Sequence, residues 1–132
     1  MKSFEFDIAI LGAGSFGTAV AVHLARQNHK VILWGRNTQQ IQQMTSDREN
    51  SLYLPNIKLP INLLPSADLN LAVTKAKYII IAMPSHAFAD LISKLPNDIK
   101  KICWLTKGIE PKTNAFLHEI VLQKYPSAAF AI

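Results

Sequence analysis

The chain is poor in the features that mark secreted, disulfide-bonded and membrane proteins. Its single cysteine, Cys103, has no partner for an internal disulfide, which is compatible with a reducing cytoplasm. Cys103 lies in an apolar run, so we interpret it as an inert residue rather than a catalytic one. The longest apolar runs, such as residues 78–84, have the length of a buried strand and are too short to span a bilayer. Acids at positions 5 and 7 interrupt any signal-peptide pattern, and we expect a cytoplasmic protein with no membrane partner.

Patterns for metal and nucleic-acid binding are also missing. His23 falls in the middle of a predicted helix with no His, Cys or acid at ligand spacing, so we expect no metal site. The 14 basic and 9 acidic residues leave a net charge of +5, which suits an anionic ligand. The basic residues are scattered rather than arranged in a stripe with aromatic residues, so we expect no nucleic-acid partner. The length of 132 residues predicts one domain, covering residues 1–132.

Three glycines stand at the spacing G-x-G-x-x-G, directly after an apolar run that reads as a strand. Gly12 is expected to allow a sharp turn, and Gly14 a close approach of the backbone to a pyrophosphate. Gly17 is expected to let the following helix pack tightly on the strand. The helix would direct its free N–H groups, and the positive end of its dipole, at the phosphates. Because a strand, a helix and a second strand surround the glycines, we interpret them as a dinucleotide-binding fingerprint rather than incidental turn glycines.

The stretch after the second predicted strand bears on the choice of dinucleotide. NAD-preferring folds place an acid here to bond the ribose 2′-hydroxyl, whereas a nearby arginine accommodates a 2′-phosphate. Residues 33–37 contain no acid, and Arg36 could pair with a phosphate. The sequence therefore predicts NADP (as NADPH) as the preferred cofactor, with NAD possible. The competing interpretation of Arg36 is a solvated arginine in a loop.

Apolar runs and helical patterns alternate along the whole chain. This alternation predicts an α/β fold with a doubly wound, mostly parallel sheet, the Rossmann dinucleotide-binding fold, and the strand order 3-2-1-4-5-6. The predicted strands are residues 6–11, 30–34, 61–64, 78–83, 101–105 and 128–132. The predicted helices are residues 15–28, 38–44, 67–75, 87–95 and 112–125.

Caps and loops are predicted from residue type. Thr38, Ser66 and Ser85 are expected to be the N-caps of the three middle helices. Residues 50–60 contain two prolines, which would break a strand ladder, so this stretch is predicted to be a loop. We expect Leu52, Tyr53 and Leu54 to pack that loop against the protein.

Lys107 follows the fifth predicted strand, in Thr106-Lys107-Gly108. Ligands of such sheets bind outside the carboxyl ends of the strands, so Lys107 is a candidate anchor for an anionic substrate or cofactor group. The alternative is a surface lysine in a turn. Ser85 and His86 begin the helix after the fourth strand, on the turn that faces the glycine loop. With no orienting carboxylate nearby, His86 is not assigned a catalytic role.

Several stretches together resemble one family, the bacterial-type NAD(P)-dependent glycerol-3-phosphate dehydrogenases, in their N-terminal cofactor-binding domain. The matching stretches are Gly12-Ala13-Gly14-Ser15-Phe16-Gly17-Thr18-Ala19, Leu33-Trp34-Gly35-Arg36, Asn50 with Tyr53-Leu54-Pro55, Pro84-Ser85 and Thr106-Lys107-Gly108. The resemblance implies interconversion of sn-glycerol 3-phosphate and dihydroxyacetone phosphate by hydride transfer, which feeds glycerophospholipid synthesis.

The resemblance also implies roles for individual residues. Ser15 and Phe16 resemble cofactor contacts, and Arg36 is similar to the family's arginine at the 2′-phosphate. Lys107 resembles a lysine that touches both the nicotinamide end and the substrate phosphate. The full set of expected cofactor-binding residues is Gly12, Gly14, Ser15, Phe16, Gly17, Arg36, Ser85 and Lys107.

Members of the family continue into a helical substrate domain that supplies the catalytic lysine. We therefore expect the catalytic lysine beyond Ile132, the 132 residues to bind NADPH weakly without turnover, and the full-length enzyme to be a homodimer. Two alternatives remain open. One is another reductase of the same superfamily, such as a ketopantoate or pyrroline-carboxylate reductase. The other is a nucleotide-sensing module without chemistry.

Overall fold

A central parallel sheet forms from the apolar runs of the sequence. A computed structural model describes residues 3–99, 101–127 and 129–131 of the chain. In this part of the chain the sheet has six strands. They are β1 (Phe6–Leu11), β2 (Val31–Trp34), β5 (Leu63–Ser66), β6 (Ala76–Ile81), β7 (Lys101–Trp104) and β8 (Ala129–Ala131). They lie side by side in the order β5-β2-β1-β6-β7-β8, and each neighbouring pair is parallel. When only the strands of this sheet are numbered along the chain, the order is 3-2-1-4-5-6, so the predicted order is confirmed.

Helices cover both faces of this sheet. Successive side chains of a strand point to opposite faces, and β1 shows this directly. Ala9 and Leu11 belong to the apolar cluster beneath the last three helices, whereas Ile8 and Ile10 belong to the cluster beneath the first two. Burial on both faces explains why β1 is an almost continuous apolar run. The helices are α1 (Ser15–Arg26), α2 (Thr38–Asp47), α3 (Leu69–Lys75), α4 (Ser85–Lys94) and α5 (Leu117–Lys124).

The expected loop over residues 50–60 is wrong, because the chain forms a short antiparallel pair there. Its strands are β3 (Glu49–Asn50) and β4 (Leu54–Lys58). A strand with only one neighbour has a free edge, where the missing N–H of a proline costs no ladder bond, and Pro55 is accordingly exposed. Leu52 is 71% exposed and does not pack the segment down as expected.

Helix α2 is capped one residue earlier than predicted and runs three residues further. The side-chain oxygen of Asn37 accepts a hydrogen bond of 3.1 Å from the Gln40 N–H, so Asn37 is the N-cap and Thr38 is the first helical residue. The helix stops at Arg48, which has the left-handed φ of 52°. Residues 45–47, predicted to be irregular, are therefore helical.

The prediction for the third strand and its helix is shifted by two residues. Ile61 is fully exposed, and β5 starts at Leu63, which is buried. Ser66, the predicted N-cap, ends that strand instead. The N-cap of the helix is Asp68, whose side-chain oxygen accepts a 3.0 Å hydrogen bond from the N–H of Leu71. Both Ser66 and Asp68 are residue types that cap helices, so local composition did not separate them.

The beginning of α4 also differs from the prediction. Pro84 occupies the N-cap position without a side-chain cap bond, and Ser85 is the first residue of the helix. Strand β6 lies two residues nearer the N-terminus than expected, because Ala76 is buried and pairs with Phe6 of β1. Residues 82–84 are thereby left to form the turn at the carboxyl edge.

The last helix begins at Leu117, five residues later than predicted. The buried carboxylate of Glu110 accepts 2.8 Å bonds from the N–H groups of Lys112 and Thr113, the two expected helix starters. Asn114 then takes a left-handed φ of 58°, which interrupts any helix. A loop organised by one buried acid therefore replaces the first turns of the predicted helix. Of the sixth predicted strand, residues 128 and 132 lie outside the described residues.

Within the described part of the chain, no helix is long and apolar enough to cross a membrane.

Candidate functional site

A cleft of about 540 Å³ opens at the carboxyl ends of the central strands. It lies where β1 and β6 are neighbours, the point from which the strand order runs outward in two directions. Doubly wound sheets bind their ligands at this switch point, and the volume falls in the usual range for small-molecule sites. The lining comes from residues 12–17, 35–37, 82–84 and 105–107, together with Gln40 and Tyr53.

The glycine loop forms one wall of the cleft. Gly12 has a φ of +129°, and a Cβ there would lie 2.7 Å from the carbonyl oxygen of Ala82. At Gly17 a Cβ would lie 2.0 Å from the carbonyl oxygen of Gly12, so only a glycine lets α1 approach β1 this closely. The turn and packing roles predicted for these two glycines are confirmed. A Cβ at Gly14, in contrast, would meet no protein atom within 4 Å.

Helix α1 points an uncapped N-terminus at the cleft. Gly14 is its N-cap, with no side-chain cap bond and no acid in the first turn. The first N–H groups of a helix lack intrahelical partners, and the helix dipole adds positive potential there. Ser15 and Phe16 occupy the first turn, and the Phe16 ring is 59% exposed. Open space over Gly14 and an uncapped helix end fit the phosphates of a dinucleotide.

Among the described residues, two cationic side chains and no carboxylate line the cleft. Arg36 is exposed on the turn after β2, and Lys107 is exposed on the turn after β7. Asp and Glu are absent from all the lining residues that the structure describes. The electrostatic potential of the cleft therefore favours an anion with more than one charged group.

Lys107 lies on the turn after β7, and this turn is hydrogen-bonded to the turn after β6. The hydroxyl of Thr106 donates to the carbonyl oxygen of Met83, and the N–H of Leu105 donates to the carbonyl oxygen of Ile81 at 2.8 Å. The turns after β6 and β7 are thus linked side by side across the sheet edge.

The structure brings seven of the eight predicted cofactor residues together. Ser85 is the exception: it starts α4 and does not line the cleft, and its Oγ lies 3.6 Å from the position of a Cβ at Gly108. That these residues contact a dinucleotide stays a prediction. The seven that line the cleft are Gly12, Gly14, Ser15, Phe16, Gly17, Arg36 and Lys107.

The buried amide of Asn50, which the sequence marked only through the family resemblance, is hydrogen-bonded to the glycine loop. Asn50 is 0% exposed, and its Nδ2 donates to the carbonyl oxygen of Ala13 at 3.0 Å and to Thr18 Oγ1 at 2.8 Å. Gln40 Nε2 donates to the same Ala13 oxygen at 2.8 Å. An asparagine at the end of a polar stretch gives no local sign of burial, so its contacts could not be read from the sequence.

Tyr53, which was predicted only to pack its loop against the protein, is a second residue that the structure places at the site. It lines the cleft with 44% of its surface exposed. Its N–H donates to Asn50 Oδ1 at 3.4 Å, so the turn between β3 and β4 is attached to the same amide that supports the glycine loop. The sequence marked Tyr53 as a loop-packing residue, and the structure turns its ring to the cleft instead.

The cysteine and the two histidines considered in the sequence analysis do not line the cleft. Cys103 is half-buried in β7, and burial raises the pKa of its thiol, which disfavours the nucleophilic thiolate. His23 and His86 are exposed on helices and do not line the cleft. Among the described residues, no three His, Cys, Asp or Glu side chains are grouped to hold a metal ion.

The sequence of the chain is similar to those of known dehydrogenases. A family model described as NAD-dependent glycerol-3-phosphate dehydrogenase N-terminus matches residues 7–132. A glycerol-3-phosphate dehydrogenase (NAD(P)+) of Legionella pneumophila (strain Paris) is 48% identical over 118 residues, which is 89% of this chain and 36% of that protein. The enzyme of the same name from Pseudoalteromonas translucida (strain TAC 125) is 40% identical over 97% of this chain and 39% of its own length.

A solved structure of a glycerol-3-phosphate dehydrogenase is also similar to this chain. Glycerol-3-phosphate dehydrogenase from Coxiella burnetii matches with a TM-score of 0.88 and 36% sequence identity, over 96% of this chain and 40% of that one. The chain therefore spans well under half the length of the relatives that it matches.

Proposed function

The chain belongs to the NAD-dependent glycerol-3-phosphate dehydrogenase family, as its N-terminal region, and from this membership we propose that it is the NAD(P)-binding half of an oxidoreductase. The reaction is the interconversion of sn-glycerol 3-phosphate and dihydroxyacetone phosphate by hydride transfer, which feeds glycerophospholipid synthesis. The small-molecule substrate is a phosphate ester, and the enzyme acts in the cytoplasm as a homodimer.

The observation that carries this proposal is the charge pattern of the cleft. An uncapped helix N-terminus, Arg36 and Lys107 converge on about 540 Å³ without a lining carboxylate among the described residues. A dinucleotide bears a pyrophosphate, and the proposed substrate bears a further phosphate. Both would be attracted to the same positive potential.

Each element of the cleft has a proposed role. The N–H groups of Ser15 and Phe16, at the start of α1, would hold the pyrophosphate over the open face of Gly14. Lys107, on the far side of the switch point, would lie at the nicotinamide end and hold the substrate phosphate. A bound nicotinamide dinucleotide supplies or accepts the hydride, while the protein orients the reactants and sets their electrostatic surroundings.

Arg36 supports NADPH as the preferred dinucleotide. It stands directly after β2, where NAD-preferring folds place an acid, and it is exposed toward the cleft. A guanidinium can bond a 2′-phosphate bidentately, whereas an aspartate there would repel one. NAD lacks that phosphate, so we propose that it binds more weakly, without being excluded.

The substrate is tested with the enzyme that contains this domain. Oxidation of NADPH is followed by the loss of its nicotinamide absorbance, with dihydroxyacetone phosphate, ketopantoate and pyrroline-5-carboxylate tested in parallel. We expect turnover with dihydroxyacetone phosphate alone. Turnover with ketopantoate or pyrroline-5-carboxylate instead would overturn the proposed substrate, and cofactor binding without any turnover would favour the nucleotide-sensing alternative.

A further inference from the structure

The Asn50 side chain links three segments around the proposed cofactor site. Its amide group is fully buried and has two N–H donors and one strong acceptor. One donor holds the carbonyl oxygen of Ala13 in the glycine loop, and the other holds Thr18 Oγ1 in α1. The acceptor oxygen receives the N–H of Tyr53 from the turn between β3 and β4. The polar groups of the Asn50 amide are therefore all engaged at once.

The bond to Ala13 fixes the orientation of one peptide plane. In a planar trans peptide, the carbonyl of one residue and the N–H of the next point in opposite directions. Asn50, which is buried, and Gln40, which lines the cleft, both donate to the Ala13 oxygen. The N–H of Gly14, at the other end of the same peptide, therefore points away from this oxygen. Gly14 lines the cleft, and a Cβ there would meet no protein atom within 4 Å.

The amide has little freedom to adopt another orientation. Thr18 is 0% exposed, and its hydroxyl accepts the second Asn50 donor at 2.8 Å. Rotating the Asn50 amide by half a turn would place its oxygen against the Ala13 oxygen and its donors against the Tyr53 N–H. Each buried donor or acceptor left unpaired in this way carries a desolvation penalty, so the observed orientation is strongly preferred.

We propose that Asn50 is a positioning residue for cofactor binding: it presents the Gly14 N–H to the phosphates of the dinucleotide by holding the Ala13 carbonyl inward. The inference rests on the proposed function, because it requires a dinucleotide in this cleft. Asn50 does not touch the cofactor and acts through the Ala13–Gly14 peptide. Asn50 should therefore strengthen the binding of the pyrophosphate and leave the binding of the adenosine end unchanged.

The test compares two ligands on the enzyme that contains this domain and on its Asn50→Ala variant. NADPH contains the pyrophosphate, whereas adenosine 2′-monophosphate carries the 2′-phosphate without it. We expect Asn50→Ala to weaken NADPH by about tenfold, since Gln40 still holds the Ala13 oxygen, and to change adenosine 2′-monophosphate affinity by less than about twofold. Isothermal titration measures the first affinity, and NMR titration measures the second.

The Gly14 amide resonance gives a direct reading of the mechanism. In the wild-type chain, we expect NADPH to shift the Gly14 ¹H–¹⁵N signal strongly, because the N–H bonds a phosphate. In Asn50→Ala the shift should shrink to a small fraction of that value. A purely structural role for Asn50 would lower the melting temperature without removing this signature.

A milder pair of variants covers the case in which Asn50→Ala does not fold. Thr18→Val removes the hydroxyl that orients the amide and keeps the side-chain shape, while Thr18→Ser keeps the hydroxyl. We expect Thr18→Val to weaken NADPH and reduce the Gly14 shift, and Thr18→Ser to leave both unchanged. Equal weakening of both ligands, or an unaltered Gly14 shift, would overturn the positioning role. If the wild-type chain fails to bind NADPH at all, the proposed function fails instead.

Discussion

The hydroxyl of Thr106 donates a hydrogen bond of 2.5 Å to the carbonyl oxygen of Met83. This bond joins the turns after β7 and β6, both of which line the cleft. Lys107 follows Thr106 directly, so its backbone is fixed relative to the neighbouring strand end. The bond therefore joins the two turns at this edge of the cleft.

Replacing Thr106 with valine should therefore loosen this edge. Valine has nearly the same shape but no donor, which leaves the Met83 oxygen without this bond. We expect the free energy of unfolding to fall by about 1 kcal/mol, measured by urea denaturation. Thr106→Ser keeps the hydroxyl and should stay within about 0.5 kcal/mol of the wild type. An unchanged urea midpoint for Thr106→Val would show that the bond contributes no net stability.

Two glycines of the fingerprint should respond in opposite ways to alanine. A methyl at Gly17 would lie 2.0 Å from the Gly12 carbonyl oxygen, so Gly17→Ala should destabilise the fold by about 2 kcal/mol or more. A methyl at Gly14 meets no protein atom within 4 Å, so Gly14→Ala should keep stability within about 1 kcal/mol. The same methyl would stand in the path of the phosphates, and NADPH affinity should fall sharply. Calorimetry of unfolding and of NADPH binding separates the two effects, and a Gly14→Ala variant that binds NADPH normally would exclude a phosphate at this position.

Arg36→Ala should distinguish the two dinucleotides. If Arg36 pairs with the 2′-phosphate, its loss weakens NADPH by about 1.5–3 kcal/mol, the range for a hydrogen bond to a charged group, and leaves NADH almost unchanged. Arg26, exposed at the end of α1 and away from the cleft, provides a matched control for the loss of one positive charge. The measurement is the Kd of each dinucleotide in low salt. Equal weakening of NADPH and NADH would refute the assignment, and the same loss in Arg26→Ala would reduce it to a general charge effect.

Tyr125 should make stability fall at alkaline pH. Its hydroxyl donates to the carbonyl oxygen of Pro96 and is buried beside α4. Burial, with a smaller effect of the Asp98 charge, raises the pKa of Tyr125 to about 12, from an ordinary value near 10. The folded state therefore holds the proton more tightly than the unfolded state between these values. Its stabilising contribution is complete below pH 10 and is lost as the pH rises toward 12.

Tyr125→Phe isolates this contribution. The variant lacks the titrating hydroxyl, so its free energy of unfolding should decline less steeply than that of the wild type over the same alkaline range. Lysine titration is common to both proteins and cancels in the difference. Parallel curves for the two proteins would contradict the raised pKa.

Sequence reasoning succeeded where the determining interactions are local. Gly12 and Gly17 are identified by spacing alone, and Arg36 by its distance from the second strand. The almost continuous apolar run of β1 predicts burial on both faces of the strand, and this prediction does not depend on knowing which elements pack against it. These features allow the fold, the strand order and most of the cleft to be predicted.

Predictions from the sequence were wrong where two neighbouring residues could both take the same position, such as a helix cap. Burial was missed where it depends on residues distant in the sequence. Asn37 and Thr38 are adjacent and both cap helices well, and only the packing of α2 decides between them. Pro55 excludes a central strand, but it does not exclude a strand with a free edge. Asn50 is polar in a polar stretch, and its burial comes from Ala13 and Thr18, which lie 37 and 32 residues earlier.

This separation along the chain bears on the order of folding. Residues 6–34 contain every glycine of the fingerprint and both strands beside it, yet the bonds that orient the Ala13–Gly14 peptide come from residues 40 and 50. Those bonds join residues 27 and 37 positions apart, which is further than the pairing of Ile8 with Val31 between β1 and β2, so they close longer loops at a higher entropic cost. The phosphate-binding loop is thus expected to reach its final geometry after the strand–helix–strand unit that carries it, and a nascent chain would gain its full affinity for the dinucleotide only once β3 has docked.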